Sequence, residues 1–264
     1  MTQKAREKAA KDRQFISALA KGLEVLQCFT PGHPELSASD IARATGMPQP
    51  TVWRICHTLI ELGFLVVVPG RQTMRPGIPV LTLGYALLST MPIGELALAD
   101  MQLIARRYEG AVSLGTRDGL NMVYIQRCQG SSIILADLRI GSRVPIATSA
   151  TGWAHIAGLE GADRVKLLTE LSASVGKEWS TIEPRLLAAL SDFEKQGYVV
   201  NEGSLHPRVN SVAVPVKLAG SPTILSLSSG GISEVFTETV LTQVGDELKQ
   251  LAHKLAPLLA RTAG

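Results

Sequence analysis

Residues 36–65, LSASDIARATGMPQPTVWRICHTLIELGFL, decide how the chain is read. Ser37 with Asp40 three residues on has the capping-box form, in which each side chain satisfies the other residue's backbone N–H. The spacing predicts a helix starting there, with Ile41, Ala42 and Ala44 inward. Gly46 stops it, because glycine enters the left-handed conformation at no steric cost. Met47 and Pro48 form a turn. Gln49 reads as the next N-cap and Pro50 as the first helical residue, where its missing N–H costs nothing. In the helix that follows, Val52, Ile55, Cys56 and Leu59 fall at i, i+3, i+4 and i+7, a single apolar stripe. The opposite side carries Gln49, Thr51, Trp53, Arg54, His57 and Thr58. Two helices across a tight turn, the second with long polar and basic side chains outward, form a helix-turn-helix. Such an outer face suits the major groove of DNA.

The flanks extend the motif. Upstream, Ala18, Leu19, Leu23, Leu26 and Phe29 recur at helical spacing, and Pro31-Gly32 ends the run. Downstream, Gly63 breaks the helix, residues 64–68 have strand character, Pro69-Gly70 turns the chain, and residues 71–75 return as a second strand. This is a β-wing whose Arg71 and Arg75 can reach phosphates beside the groove. The unit is a winged helix-turn-helix over residues 14–78. Its candidate DNA-contacting residues are Ser37, Gln49, Pro50, Thr51, Trp53, Arg54, His57, Arg71 and Arg75. The competing reading is a small helical domain whose short turn never meets DNA.

Charge agrees with the DNA reading. Up to Ile78 there are ten Lys and Arg against six Asp and Glu, a net of +4. The remaining sixteen bases and seventeen acids give −1, so the chain's formal +3 is an N-terminal excess. Location matters here, because contacts to phosphates supply non-specific affinity and make it salt-dependent. Residues 1–13, beginning MTQKAREKAAKD, hold few apolar side chains and read as a mobile basic tail: solvated chain or a phosphate-contacting arm.

At 264 residues and 45% hydrophobic, the chain is long enough for two domains. No stretch is long and apolar enough to span a bilayer, and no secretory signal opens it, so no membrane partner is expected. Cys28, Cys56 and Cys128 form no CxxC pair or Cys/His cluster, and a sparse unpaired set fits the cytoplasm. Neither a metal site nor a cofactor is expected. Pro76, Pro79 and Pro92 punctuate a boundary, and the apolar run between them reads as a linker helix over residues 79–92.

Residues 93–264 form the second domain. A helix over 94–109, with Leu96, Met101, Ile104 and Ala105 inward, opens it. Residues 111–115 and 122–126 are strands around an Arg117-Asp118-Gly119 hairpin signal, and 133–138 is a third strand. Residues 141–145 read as a loop into the small-residue segment 147–152, which opens a helix ending near Gly158. Helices over 162–171 and 183–196 follow, then strands over 198–201, 211–217 and 223–229. A long helix over 237–260 closes the chain, with Leu241, Val244, Leu248, Leu251, Leu255 and Leu258 inward. This order predicts an α+β domain with an antiparallel sheet.

Polar groups on these small and apolar segments are pocket candidates. Thr148 and Ser149 stand at a helix start, where N–H groups favour an anion. Ser211, Ser226 and Ser228 lie on strands, the last two with the same parity, and Asn201 ends another strand. A small carboxylate fits such a set. The bland alternative is that these residues cap helices or face solvent.

With these residues in place, the chain resembles an IclR-type transcriptional regulator over nearly its whole length. The similarity lies in ALAKGLEVL at 18–26, IARATGMP at 41–48 and Thr51-Val52-Trp53-Arg54, then in GSRVP at 141–145, Ala150-Thr151-Gly152, Gly197-Tyr198 and VAVPV at 212–216. The resemblance implies a GAF-like effector domain, dimers formed partly through the DNA-binding domains, and often tetramers. It implies repression or activation of operons for carbon sources, frequently aromatic or other organic acids. By motif it puts the effector pocket on Ala147, Thr148, Asn201, Val209, Ser211, Ser226 and Ser228. Asn201 stands where the family often has an acid and Ser211 where it often has cysteine, which makes the pocket neutral. Pro50 replaces a frequent serine and Arg208 a frequent glycine.

Two other functions compete with a ligand-gated operator binder. One is a constitutive DNA binder with a purely dimerising C-terminal domain. The other is an enzyme with a DNA-binding appendage, using Ser149 with His155 or Ser211 with His206. No oriented acid or nucleophile-elbow motif accompanies either pair, so no catalytic residue is expected.

Overall fold

The computed structural model describes residues 12, 14–90, 93–130, 138–217 and 222–257. The chain divides into two compact units, Met1–Thr90 and Met91–Gly264. The basic tail except Asp12, the expected strand at 133–138 except Leu138, and Leu258 of the closing helix lie outside the described residues.

The first unit runs α1 (Ser17–Gln27), α2 (Ala38–Thr45), α3 (Gln49–Glu61), β1 (Leu65–Val67), β2 (Met74–Pro76) and α4 (Ile78–Ser89). The capping box forms: Asp40 N–H donates to Ser37 Oγ at 3.2 Å, and Ser37 N–H donates to Asp40 Oδ2 at 3.1 Å. Gly46 ends α2 at φ 69°. The N-cap of α3 is Pro48 instead of Gln49. The N–H groups of Thr51 and Val52 both reach Pro48 O, so Pro50 sits one residue deeper in the first turn than expected.

The core of this unit is Val25, Ile41, Val52, Cys56, Leu65 and Met74, with Ile55 and Leu59 packed against it. The inward face of α1 differs from expectation: Leu19 and Leu23 are exposed and Val25 is buried. Only the C-terminal part of α1, with Leu26, Cys28 and Phe29, packs on this core. Ala44 is likewise exposed, while Thr45 is buried and donates its hydroxyl to Ile41 O at 2.8 Å.

The wing is a two-stranded antiparallel ribbon in the register Leu65↔Pro76 and Val67↔Met74. Its second strand is shorter than expected, and Arg71 lies in the turn. Helix α4 covers most of the expected linker, and none of its side chains is buried.

The second unit runs α5 (Ile93–Arg107), β3 (Ala111–Asp118), β4 (Asn121–Gln129), β5 (Arg143–Pro145), α6 (Ala150–Gly158), α7 (Gly161–Val175), α8 (Trp179–Gln196), β6 (Val199–Glu202), β7 (Val209–Lys217), β8 (Ile224–Ile232) and α9 (Glu238–Leu255). One six-stranded sheet has the order β5-β4-β3-β8-β7-β6, every pairing antiparallel. Residues 143–145, expected as loop, form edge strand β5 because Val144 pairs with Met122 and is buried. Leu96 of α5 is exposed, and Ala97 takes the inward place with Met101, Ile104 and Ala105.

Helices α6 and α9 both pack on β7 without packing on each other, so they cover opposite faces of the sheet. The central strand β8, ILSLSSGGI, is therefore buried on both sides and loses the alternation of a half-exposed strand. All nine residues of α6 are buried. Small residues permit its approach. A Cβ on Gly152 would stand 2.4 Å from Ile146 Cα and O, and one on Gly158 would stand 2.9 Å from Pro215 Cβ and Ile224 Cγ2.

Gly152→Ala is accordingly expected to cost about 2–3 kcal/mol, because its clash is with backbone. Gly22→Ala in α1, with nothing within 4 Å of the added carbon, should instead gain about 0.5–1 kcal/mol of helix stability. Thermal unfolding of the two variants beside the parent checks the pair. Equal stability of all three contradicts the tight seat of α6.

Candidate functional site

In the first unit the outer face of α3 stands clear of the core. Gln49, Pro50, Trp53, Arg54 and His57 are exposed and Thr51 is half-buried. Trp53 is 61% exposed, and its ring meets that of His57 edge to face at 5.5 Å between centroids. A groove of about 450 Å³ runs between α3, the start of α2 and the wing, lined by Ser37, Gln49, Trp53, His57 and Gln72 among others. Gln49 is steadied by a hydrogen bond from its Nε2 to Ser39 Oγ at 3.1 Å.

The candidate bases differ in how they are held. Among the described residues, Arg54 and Arg75 make no ion pair, whereas Arg71 is tied to Glu35 at 3.1 Å. A phosphate reaching Arg71 must compete with that carboxylate. Ser37 is similarly occupied: its hydroxyl lies 2.6 Å from Asp40 Oδ2. Hydrogen bonds from the Ser37 hydroxyl and backbone, then the charge of Arg43, hold the Asp40 carboxyl below its ordinary range. Cys56 is buried behind α3 with its thiol pushed up to about 11 by burial, so it packs as a small apolar side chain.

In the second unit a small cleft opens between the sheet and the N-terminus of α6. Val209, Ser211 and Ser228, three of the residues to which the family resemblance points, line it together with Ser113, Tyr124, Arg127, Leu138, Ser149, Thr151 and Leu205. Thr151 donates to Ser228 Oγ at 2.9 Å, and Arg127 Nη1 donates to Ser113 Oγ at 2.6 Å. The Arg127 guanidinium lies 5.6 Å from the centre of the Tyr124 ring. Burial raises the Tyr124 phenol above its ordinary range, so it stays protonated.

Four sequence-predicted residues are placed behind this cleft instead of on it. Asn201 is buried; its Nδ2 donates to Thr148 O at 3.1 Å and its Oδ1 accepts from Ser204 N–H at 3.2 Å. It joins the segment before α6 to the end of β6. Ser211 adds a bond to Asn201 O at 3.4 Å. Thr148 is half-buried, and Ala147 is buried with its carbonyl accepting from the Trp153 indole at 2.8 Å. Ser226 is wholly buried. Arg127, Ser113 and Tyr124 were not singled out by sequence reasoning. The register that sets Ser113 opposite Arg127 was the available signal, but it depends on a β-bulge after Leu114.

Neither serine–histidine pair is a nucleophile with its base. Ser149 caps α6: its Oγ donates to Pro145 O at 2.6 Å and accepts from Gly152 N–H at 3.1 Å. Ser211 donates to Asn201 O, and His206 Nδ1 accepts from Arg208 N–H at 3.3 Å. His155 is buried, and neither of its ring nitrogens completes a hydrogen bond among the described residues.

An exposed outer face carrying Gln49, Trp53 and Arg54 on the second helix of a helix-turn-helix, with a polar-lined cleft in a separate unit, is the arrangement of a DNA-binding regulator. Comparison with known proteins gives the family. The model of the IclR helix-turn-helix domain matches residues 18–69, and that of the bacterial transcriptional regulator IclR C-terminal domain matches residues 85–256. The HTH-type transcriptional regulator TsaQ1/TsaQ2 of Comamonas testosteroni is 30% identical over 244 residues, 91% of this chain and 87% of that protein. Among solved structures, an IclR family transcriptional regulator from Brucella abortus superposes with TM-score 0.81 at 37% identity, over 94% of each chain. An IclR homologue from Microbacterium hydrocarbonoxydans, complexed with 4-hydroxybenzoate, shares the fold at TM-score 0.75 and 21% identity, over 92% of this chain and 99% of that one. The chain belongs to the IclR family of transcriptional regulators. It is a DNA-binding regulator and not an enzyme.

One buried residue of α6, outside both the groove and the cleft, carries a pH signature. Burial, then the charge of Arg117, lowers the His155 imidazole to about 4 from 6.5. Above pH 6.5 it is neutral in the folded and unfolded states alike. As pH falls from 6.5 towards 4, the unfolded chain takes up the proton first and stability drops, by on the order of 3 kcal/mol for a shift of this size. His155→Leu should flatten that part of the stability profile in unfolding experiments between pH 7 and 4. An unchanged slope contradicts the assignment.

Proposed function

We propose that the chain controls transcription of genes for catabolism of an organic acid, binding operator DNA as a cytoplasmic homodimer or homotetramer whose grip changes when a small carboxylate enters the cleft of the second unit. The observation that carries this reading is the pairing, in one chain, of an Arg54 exposed on the outer face of α3, without an ion pair among the described residues, with a half-buried polar cleft against α6. The absence of any single helix long and apolar enough to cross a membrane, among the described residues, is consistent with it.

DNA recognition follows from the first unit. Arg54 and Trp53, exposed on the outer face of α3, are assigned to base edges; Gln49 and Thr51 stand at the helix start, and Arg75 is assigned to phosphate ahead of the Glu35-tied Arg71. Ser37 and Pro50 act through helix starts, setting the angle at which α2 and α3 meet the groove. Pairing of two heads has a physical motive in α4, where Ile78, Leu81, Leu83, Tyr85 and Leu87 are all at least 60% exposed. An apolar surface of that kind favours association, and a two-fold pair presents two α3 helices to half-sites about 34 Å apart.

The cleft encloses only about 30 Å³ open to water, room for about a water or two by the usual threshold. An aromatic or aliphatic acid has to widen it. A ligand that binds a widened cleft better than this one necessarily shifts the protein towards the widened state, which is what a switch requires. The 4-hydroxybenzoate held by the Microbacterium homologue is an acid of the size envisaged.

Two substitutions separate the halves of this proposal. Arg54→Ala should weaken operator binding about 10-fold or more, read by fluorescence anisotropy on the operator recovered by footprinting upstream of the regulated genes. Ser211→Leu should leave operator affinity unchanged and abolish the effect of added organic acids on it. Full operator affinity in Arg54→Ala removes α3 from the reading role. A normal acid response in Ser211→Leu removes the cleft from the sensing role.

A further inference from the structure

We infer that Trp53 selects thymine, so that each half-site of the operator carries a thymine whose 5-methyl group meets the indole in the major groove. This rests on the proposed reading role of α3 and assigns the base that one of its residues prefers. A single exposed apolar side chain is ordinary at a protein surface. Trp53 is set apart by its place. It is 61% exposed in the second turn of α3, with Gln49 one turn before it, His57 one turn after it and Arg54 beside it, all of them exposed.

The indole is held as well as exposed. Residues four apart are neighbours on a helix surface, and the His57 ring meets the indole edge to face, 5.5 Å between centroids and 80° between planes. Aromatic pairs favour this arrangement, which restricts the rotation of both rings. Gln49, the neighbour on the other side, is engaged with Ser39 of α2 through Nε2 and Oγ at 3.1 Å. The groove of about 450 Å³ that Trp53 lines leaves open space beside the ring. Among the described residues the indole N–H donates to no partner. Trp53 therefore presents a braced apolar plate with one unused donor.

Thymine is the base that matches this pair of features. In the major groove it alone presents a methyl group, and it sets the O4 acceptor beside that methyl. Adenine, guanine and cytosine offer acceptors and amino groups with no apolar group. Phosphate is served by cations and small hydrogen-bonding groups, and an uncharged indole adds little there. Arg54, next in the chain and on the same exposed side, supplies a hydrogen-bonding fork for a neighbouring base. The two residues together read one apolar and one polar base edge.

The test uses the full-length protein and the operator recovered by footprinting. Each thymine is replaced in turn by deoxyuridine, which keeps the pairing and O4 and lacks only the methyl group. At one position or more in each half-site, affinity read by anisotropy should fall about 4-fold, the worth of one buried methyl group. Trp53→Ala should bind the unmodified operator about 10-fold more weakly, the scale of one lost base contact, and lose its response to deoxyuridine at those positions. Trp53→Phe, which keeps an apolar face, should retain that response. A second measurement needs no variant. Of the three tryptophans, Trp153 and Trp179 are buried, so acrylamide quenching reports on Trp53, and saturating operator should protect it. An operator indifferent to deoxyuridine at every thymine, a deoxyuridine effect that persists in Trp53→Ala, or a Trp53 as open to acrylamide in the complex as in the free protein each overturn the inference. If Arg54→Ala weakens binding while no thymine responds, α3 still reads the groove and only the assignment of Trp53 fails. If Arg54→Ala also binds at full affinity, the reading role of α3 fails with it.

Discussion

The close seating of α6 on the sheet is the constraint from which the second unit follows. Nine consecutive residues are buried, and glycines at 152 and 158 remove the side chains that would hold the helix off Ile146, Pro215 and Ile224. Because α6 sits so low, the β8 beneath it must be built from serines and glycines. Those serines are polar groups in a dry place, and they are satisfied in part by one another: Thr151 bonds Ser228, and Ser228 reaches Ser113 O at 3.5 Å. Ser226 and Ser229 find no partner among the described residues, at a cost on the order of 1–3 kcal/mol each. The cleft is the place where this polar seam reaches the N-terminal end of α6. Helix seating and the proposed ligand site are thus one piece of construction, and a ligand that widened the cleft would push directly on α6.

The first unit is arranged on a different economy. Its six-residue core is small, so helix ends carry much of the geometry. The Ser37–Asp40 box starts α2, Gly46 at φ 69° stops it, and Pro48 starts α3. Each is worth about 1 kcal/mol, and together they fix the angle between the two helices. A regulator needs its reading helix rigid relative to its own support, since base edges are read by side chains whose placement tolerates little error.

Local signals were legible in the sequence and long-range ones were not. The capping box, the turn glycine and the Val52–Ile55–Cys56–Leu59 stripe are short-range patterns, and all three appear where the spacing puts them. The inward face of α1 was not legible. Leu19 and Leu23 repeat as well as Val25 does, and only the tertiary contact with α3 decides between them. Strand β5 was missed because three residues carry no periodicity; their strand character comes from pairing with β4. In the cleft, Val209, Ser211 and Ser228 were found by motif. Arg127 escaped because a basic residue in an amphipathic strand reads as solvent-facing until register and bulge turn it to the helix-covered side. Asn201 was expected as a pocket residue by resemblance, and the structure shows its side chain bonded to Thr148 and Ser204, a long-range contact the sequence does not reveal.

A switch of this kind is defined by the coupling between its two sites, and coupling is reciprocal. Whatever factor an acid imposes on operator affinity, the operator must impose on the affinity for the acid. Titrating the identified acid into the full-length protein with and without saturating operator, by calorimetry at one salt concentration, measures that factor from the ligand side. The account predicts a ligand affinity that differs several-fold between the two titrations, by the same factor as the ligand's effect on operator binding. An affinity for the acid that is identical with and without operator contradicts it.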